Sequence, residues 1–175
     1  DEKIKRLPTK VQVVLQIAAY IGHQFEFELL NAVVVDEFRK HGVFASEHVS
    51  AADVLREMVV KIVNVTMREG LVEKSGRATF KFSHDRVQQC LIATVSSGVD
   101  REKFHLRLGN SILKFAKATR AGNSTVLLAV DHLNKGSHHI TSDDKKVILS
   151  RLNLDAAKVT LSRAALESAK EYARK

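Results

Sequence analysis

The fold is decided by residues 71–92, LVEKSGRATFKFSHDRVQQCLI, where the sequence pattern changes twice. LVEK and ATFKF have the composition of short strands, and SGR between them carries the glycine of a tight turn. Phe80 and Phe82 fall on one side of the second strand, so we predict that both lie in the core and that Lys81 points outward. The alternation stops at Ser83 and a helical pattern starts. The stretch therefore predicts a β-hairpin that leads directly into a helix.

Two helices are predicted before residue 43. Proline suits the first position of a helix, so the first helix should begin at Pro8 and end at Gly22. The second should run from about Glu26 to Lys40 and stop at Gly42. Apolar spacing predicts these buried residues: Val11, Val14, Leu15, Ala18 and Ile21 in the first helix, and Phe27, Leu30, Val34 and Phe38 in the second.

A third helix is predicted from Ser50 to Glu69, after a loop with the sequence VFASEHV. Ser50 and Asp53 form a pattern similar to a capping box, and Gly70 follows the last turn. Its expected buried residues are Val54, Leu55, Met58, Val59, Ile62 and Val63. Three helices followed by a hairpin is the order of a winged-helix domain, with the third helix as the recognition helix and the hairpin as the wing.

The predicted fold class is therefore mainly α, with a winged-helix domain over residues 1–97 and an α-helical, tetratricopeptide-like region over residues 98–175. The segment ATRAGNS and Gly136 should separate the helices of the second region. Recurring alanines after Ala156 are typical of closely packed helical hairpins, so we predict a turn at 160–162 that divides the last stretch into two antiparallel helices. One such hairpin cannot bury its faces alone, which indicates the start of a helical repeat array.

Composition favours a folded, cytoplasmic protein. Apolar residues make up 45% of the 175-residue chain, which is normal for a globular protein. The single cysteine, Cys90, cannot form an intramolecular disulfide, which fits a reducing compartment. No stretch of uncharged apolar residues reaches the length of a membrane span, and DEKIKRLPTK does not resemble a signal peptide. We therefore expect no contact with a membrane.

The net charge of +8 permits an acidic partner without demanding one, because basic and acidic residues are interleaved. This mixing extends to the predicted recognition helix, which carries Arg56, Lys61, Asn64 and Arg68 beside Asp53, Glu57 and Glu69. A DNA-reading helix usually presents a cleaner basic face. Nucleic acid is therefore not the expected partner.

The sequence lacks the common motifs of catalysis and of triphosphate binding. GxxxxGK[ST], GxGxxG, CxxC, HExxH and GxSxG are all missing. We therefore interpret the chain as non-catalytic. His132, His138 and His139 lie close together, but their spacing matches no helix-face pair and no cysteine joins them. We interpret them as solvated loop histidines and predict no metal site.

The junction after the hairpin has two interpretations. In the first, Ser83 caps the helix and Asp85 stabilises its positive end, which is routine at a helix start. In the second, His84 also contributes an imidazole donor beside backbone N–H groups that lack helical partners. Such a combination suits a phosphate oxygen. The residues alone leave both interpretations open.

Four segments resemble, in matching order, the region after the ATPase core in signalling ATPases of the STAND class. They are LPTKVQVVLQIAAYIGHQFEFELL, FKFSHDRVQQCLI, DHLNKGSHHI and LSRLNLDAAKVTLSRAALESAKEYA. The likeness is greatest to the predicted ATPase module of multidomain sensor kinases, where the string reads F-x-H-D-R-V-Q-Q followed by small and aromatic residues. CLI replaces that continuation here.

The resemblance extends to the Met-His-Asp motif of related ATPases, whose histidine contacts the β-phosphate of ADP in the closed, inactive state. It implies that His84 contacts the phosphate and that Asp85 steadies the turn, while Ser83 stands where those relatives carry methionine. The implied function is a non-catalytic regulatory fragment of an ATP-dependent signalling switch. The implied partners are a nucleotide-binding domain of the same chain, which holds ADP or ATP with Mg²⁺, and proteins bound through the helical region. This fragment itself would hold no cofactor.

Two alternative functions are kept. One is a winged-helix DNA-binding protein with a helical dimerisation region. The other is an adaptor for protein interactions.

Overall fold

A computed structural model describes residues 2–40, 51–95 and 98–173 of the chain. It is mainly helical, with a small three-stranded antiparallel sheet. The chain separates into two compact units, Asp1–Arg101 and Glu102–Lys175. The loop VFASEHV, Gly42 and the capping role of Ser50 lie outside the described residues.

The first unit combines helices with the sheet. Its elements in chain order are α1 Glu2–Lys5, α2 Thr9–Ile21, β1 Gln24–Glu26, α3 Phe27–Lys40, α4 Ala51–Arg68, β2 Val72–Lys74, β3 Thr79–Phe82 and α5 Asp85–Thr94. In the sheet, β3 lies between β1 and β2 and is antiparallel to both. The large side chains buried most completely in this unit are Val14, Ile17, Leu30, Val33, Val34, Leu55, Val59, Val72, Phe82 and Leu91.

Helix α2 confirms the predicted apolar face, but its start differs. Pro8 has φ −54° and ψ 143°, so it precedes the helix and does not occupy its first turn. Its carbonyl oxygen accepts hydrogen bonds from the backbone N–H groups of Val11 at 2.8 Å and Gln12 at 3.1 Å. The proline therefore serves the helix through its carbonyl group.

Strand β1 differs from the prediction, because the sequence pattern predicts a helix from about Glu26. The strand has only three residues, too few for an alternating pattern to stand out. Its pairing with β3 and the burial of Phe25 against Phe80 and Phe82 define it, with ring centroids 6.2 and 5.6 Å apart. A contact so distant in sequence leaves no local signal.

The predicted hairpin is confirmed, with Val72 opposite Phe82 and Lys74 opposite Phe80. Phe82 is buried at 1% exposure, as predicted. Phe80 is only half-buried, because it covers Phe25 at the edge of the core. Three other predicted core residues also differ, since Phe27 and Met58 are half-buried and Val54 is exposed.

The remaining elements are α6 Val99–Thr119, α7 Asn123–Lys135, a 3₁₀ turn at Ser137–His139 and α8 Asp143–Ala173. The predicted breaks around residues 118–124 and at Gly136 are confirmed. The predicted turn at 160–162 is wrong, because α8 is continuous there. The hydroxyl groups of Thr160 and Ser162 donate back to the carbonyl oxygens of Ala156 and Val159, so they are satisfied inside the helix.

None of the described helices combines the length and the apolar character that crossing a membrane requires.

Candidate functional site at the start of helix α5

The start of α5 follows directly from the sheet. Phe82 ends β3 and its N–H group donates to the carbonyl oxygen of His23 at 3.0 Å. His84 is the N-cap residue, with extended dihedral angles of φ −145° and ψ 144°, and the helix begins at Asp85. Strand β3, at the centre of the sheet, therefore fixes the position of the start of α5.

The predicted capping role of Ser83 is wrong. Its hydroxyl group donates to the carbonyl oxygen of Gly70 at 2.5 Å, and its N–H group donates to that of Leu71 at 3.1 Å. Ser83 lies one residue before the N-cap, so its side chain reaches back to the turn after α4. The N-cap residue, His84, makes no capping hydrogen bond with its side chain. The N-cap is therefore His84, one residue after the predicted position.

Asp85 does contact a partner that ties this turn to the rest of the unit. Its Oδ1 atom lies 3.1 Å from Nδ1 of His23, in the link between α2 and β1. One turn later, the side-chain amide of Gln88 donates to the carbonyl oxygen of Ala19 at 2.8 Å. The start of α5 is therefore anchored on the end of α2 by two side chains. Sequence reasoning missed His23, which has no motif and is far from Asp85 along the chain.

His84 remains exposed beside this anchored turn. The first N–H groups of an α-helix have no partners inside the helix, and they form its positive end. Arg86, in the same turn, is also exposed. The start of α5 therefore carries an exposed imidazole, an exposed guanidinium group and backbone donors, which are groups that can each receive a phosphate oxygen.

The other candidate histidines are not brought into one site. His132 is buried on α7, so its interpretation as a solvated loop histidine is wrong, and its Nδ1 lies 2.7 Å from Nδ1 of His105. His139 contacts Glu102 through Nε2 at 3.0 Å, and His138 is exposed. Across the described ranges, no cluster of three or more ligating side chains could hold a metal ion.

The exposed face of α4 carries basic residues that already have acidic partners. Arg56 donates to both carboxylate oxygens of Glu28, at 2.8 and 2.6 Å, and these hydrogen bonds lower the pKa of Glu28. Lys61 lies 2.7 Å from Glu57 and lowers the pKa of that carboxyl group in the same way. The face therefore offers little uncompensated positive charge at these positions.

Comparison of the chain with protein-family profiles, with curated proteins and with solved structures gave no match.

Proposed function

We propose that this chain is a non-catalytic regulatory module of an ATP-dependent signalling switch. Its first unit detects the nucleotide held by a separate nucleotide-binding domain of the same protein. The observation that carries the proposal is the exposed His84 at the N-cap of α5, whose side chain makes no capping hydrogen bond.

The order of elements supports a winged-helix assignment for the first unit. A helix, a short strand, two further helices and a hairpin follow one another from α2 to β3, and the short strand pairs with the hairpin. In this arrangement α4 takes the place of the recognition helix and β2–β3 that of the wing. The start of α5 then lies immediately after the wing.

The anchored turn supports recognition of phosphate at this position. Receptor groups that are held in place before binding lose less conformational freedom when the ligand binds. The His23–Asp85 contact and the Gln88 hydrogen bond hold the turn, which leaves His84 to donate to the β-phosphate of ADP. A hydrogen bond to a charged group contributes about 1.5–3 kcal/mol.

The proposed contact must exist in only one state of the switch, because a ligand that binds both states equally shifts neither. We assign it to the closed state, in which the first unit covers the bound ADP. Exchange for ATP with Mg²⁺ would remove the contact and release the unit.

The second unit is proposed to begin a tetratricopeptide-like region that binds protein. Helix α8 exposes large apolar side chains, with Leu154 at 57% and Leu161 at 72% exposure. Such side chains suit the packing of further helices, which is how repeat arrays complete their core.

DNA binding by the winged helix is the alternative, and the paired charges of α4 argue against it. Arg56 and Lys61 would have to leave Glu28 and Glu57 to reach phosphate. We expect any duplex binding to be weak and to disappear at physiological salt. Submicromolar binding to a preferred sequence at that salt would favour the alternative.

The experiment is to replace His84 by Ala in the parent protein that includes the nucleotide-binding domain, and to measure the dissociation of labelled ADP. We expect dissociation to become about tenfold to hundredfold faster, which corresponds to the loss of one charged hydrogen bond. His138→Ala is the matched control, since His138 is an exposed histidine far along the chain from α5. A lower melting temperature with unchanged ADP dissociation in the His84 variant would overturn the proposal.

A further inference from the structure

Helix α6 carries a row of basic side chains. The sequence from residue 103 to residue 130 contains five lysines or arginines and no aspartate or glutamate, although charges of both signs are mixed elsewhere in the chain. Four of the five lie on α6, at Lys103, Arg107, Lys114 and Lys117. We call these four residues the basic stripe.

The basic stripe runs along one line of the helix. Its members, together with Asn110, follow one another at steps of four, three, four and three residues. Each residue of an α-helix turns the chain by about 100°, so these positions fall within about 80° of the circumference. With a rise of about 1.5 Å per residue, the stripe is about 21 Å long.

The opposite side of α6 is buried. Leu108 and Ile112 are completely inaccessible, and they lie about half a turn around the helix from the stripe. Lys103 and Lys117, at the two ends of the stripe, are exposed. The stripe therefore lies on the solvent side of an amphipathic helix.

The two inner members of the stripe also interact within the chain. The guanidinium group of Arg107 lies 5.7 Å from the centre of the Phe104 ring, and both Arg107 and Lys114 have additional interactions. The outer members, Lys103 and Lys117, are therefore the residues on which the surface is best tested.

Four carboxylates of the second unit contact groups outside the stripe. Glu102 lies 3.0 Å from the imidazole of His139, and the other three contact lysines three or four residues away. These three pairs are Asp131–Lys135, Asp143–Lys146 and Asp155–Lys158. The positive charge of the stripe is therefore not the partner of these four groups.

We propose that the basic stripe docks an acidic α-helix of a partner protein. Steps of four and three residues average 3.5, which is the spacing that keeps the side chains of two crossing helices in register. A partner helix with aspartate or glutamate at the same spacing would meet the stripe along its whole length. This surface is separate from the exposed leucines of α8, and its role does not depend on nucleotide sensing by His84.

Two other anionic partners fit this surface less well. A helix that binds a membrane buries its apolar face among the lipids, but the apolar face of α6 is already buried in the protein. A helix that reads DNA presents polar side chains to base edges. The uncharged polar residue in the row, Asn110, instead donates its amide group to the carbonyl oxygen of Leu106 at 2.7 Å. The surface therefore favours a protein helix.

The test is fluorescence anisotropy of the full chain with a labelled peptide of about 20 residues, long enough to form a helix. The peptide carries glutamates at the spacing of the stripe on a background of alanine and glutamine. We expect saturable binding that weakens as the salt concentration rises to about 0.15 M. Lys103→Glu combined with Lys117→Glu should weaken it at least about tenfold, because two attractive pairs become repulsive.

The matched control reverses two exposed basic residues of α8, in Lys145→Glu combined with Arg151→Glu. It has the same net charge as the stripe variant, and its affinity should stay close to that of the unchanged chain. A control peptide with the same glutamates distributed around the helix should bind more weakly. Lys103→Gln combined with Lys117→Gln covers the case in which charge reversal alters folding, and should weaken binding by a smaller factor.

Absence of saturable binding, unchanged binding by the stripe variants, or an equal loss in the α8 control would overturn the proposal. Equal affinity for the two peptides would also overturn it, because only total charge would then be recognised. Binding of duplex DNA or of phosphatidylserine vesicles that is tighter than that of the peptide, and is lost on reversal of Lys103 and Lys117, would overturn it in favour of a nucleic acid or a lipid surface.

Discussion

The start of α5 and the contact between α6 and α7 both depend on histidine, but their environments are opposite. At the start of α5, Asp85 is 80% exposed and His84 faces solvent. Between α6 and α7, His132 is 2% exposed and its ring contacts a second imidazole. A histidine at the surface is available to a ligand, whereas a buried one is committed to the packing around it. Burial, and not residue type, therefore separates the two environments.

The largest effect should come from filling the close approach of α6 to Gly136. In Gly136→Ala the new Cβ would meet backbone atoms of Glu102 and Leu106 at 2.6–2.7 Å. We expect a loss of about 1–3 kcal/mol in the free energy of unfolding, measured by denaturant titration. The matched control is Gly122→Ala, where the structure shows no described atom within 4 Å of the added Cβ. Equal stability of the two variants would contradict the close packing of α6 against Gly136.

A smaller effect is expected at the start of α5. Ser83→Ala removes the hydrogen bond to the carbonyl oxygen of Gly70 and should cost about 0.5–1.5 kcal/mol of stability. Because Ser83 does not cap the helix, ADP retention by the parent protein should stay unchanged. A large change in ADP retention without loss of stability would mean that Ser83, and not His84, carries the recognition.

The smallest effect is expected at the exposed Glu28–Arg56 pair. Its contribution to stability indicates how much an exposed contact such as His23–Asp85 can contribute. The hydrogen bonds from Arg56 lower the pKa of Glu28, so their stabilisation is present above the ordinary glutamate pKa and is lost as the pH falls through the lowered value. Glu28→Gln should therefore lower the melting temperature slightly at pH 7, and this difference should shrink as the solution is made more acidic. A difference that grows in acid would have the wrong sign for this account.

Many element boundaries in both units could be predicted because their signals are local. Alternation marked the hairpin, and Gly22, Gly70 and Gly136 follow helix ends. Strand β1 could not be predicted because it is defined by its pairing with β3, which is distant in sequence. The continuity of α8 could not be predicted because alanines and hydroxyl side chains are compatible with a long helix as well as with a helical hairpin.

Candidate site residues could be predicted only where the local sequence pattern marks them. His84 and Asp85 were identified from the pattern of a helix start. The contact of Asp85 with His23 and that of His105 with His132 depend on tertiary packing, which no spacing rule encodes. Ser83 was predicted to be the N-cap residue, but His84 has extended backbone angles and is the N-cap, one residue later.

The measurement that tests the central claim most directly is a histidine side-chain NMR spectrum of the parent protein, recorded with ADP and then with ATP and Mg²⁺. The proposed contact predicts that the His84 signal shifts with ADP and returns to its unliganded position with ATP, while the His138 signal stays constant. A His84 signal that is identical in both nucleotide states would contradict the claim that this residue senses the nucleotide.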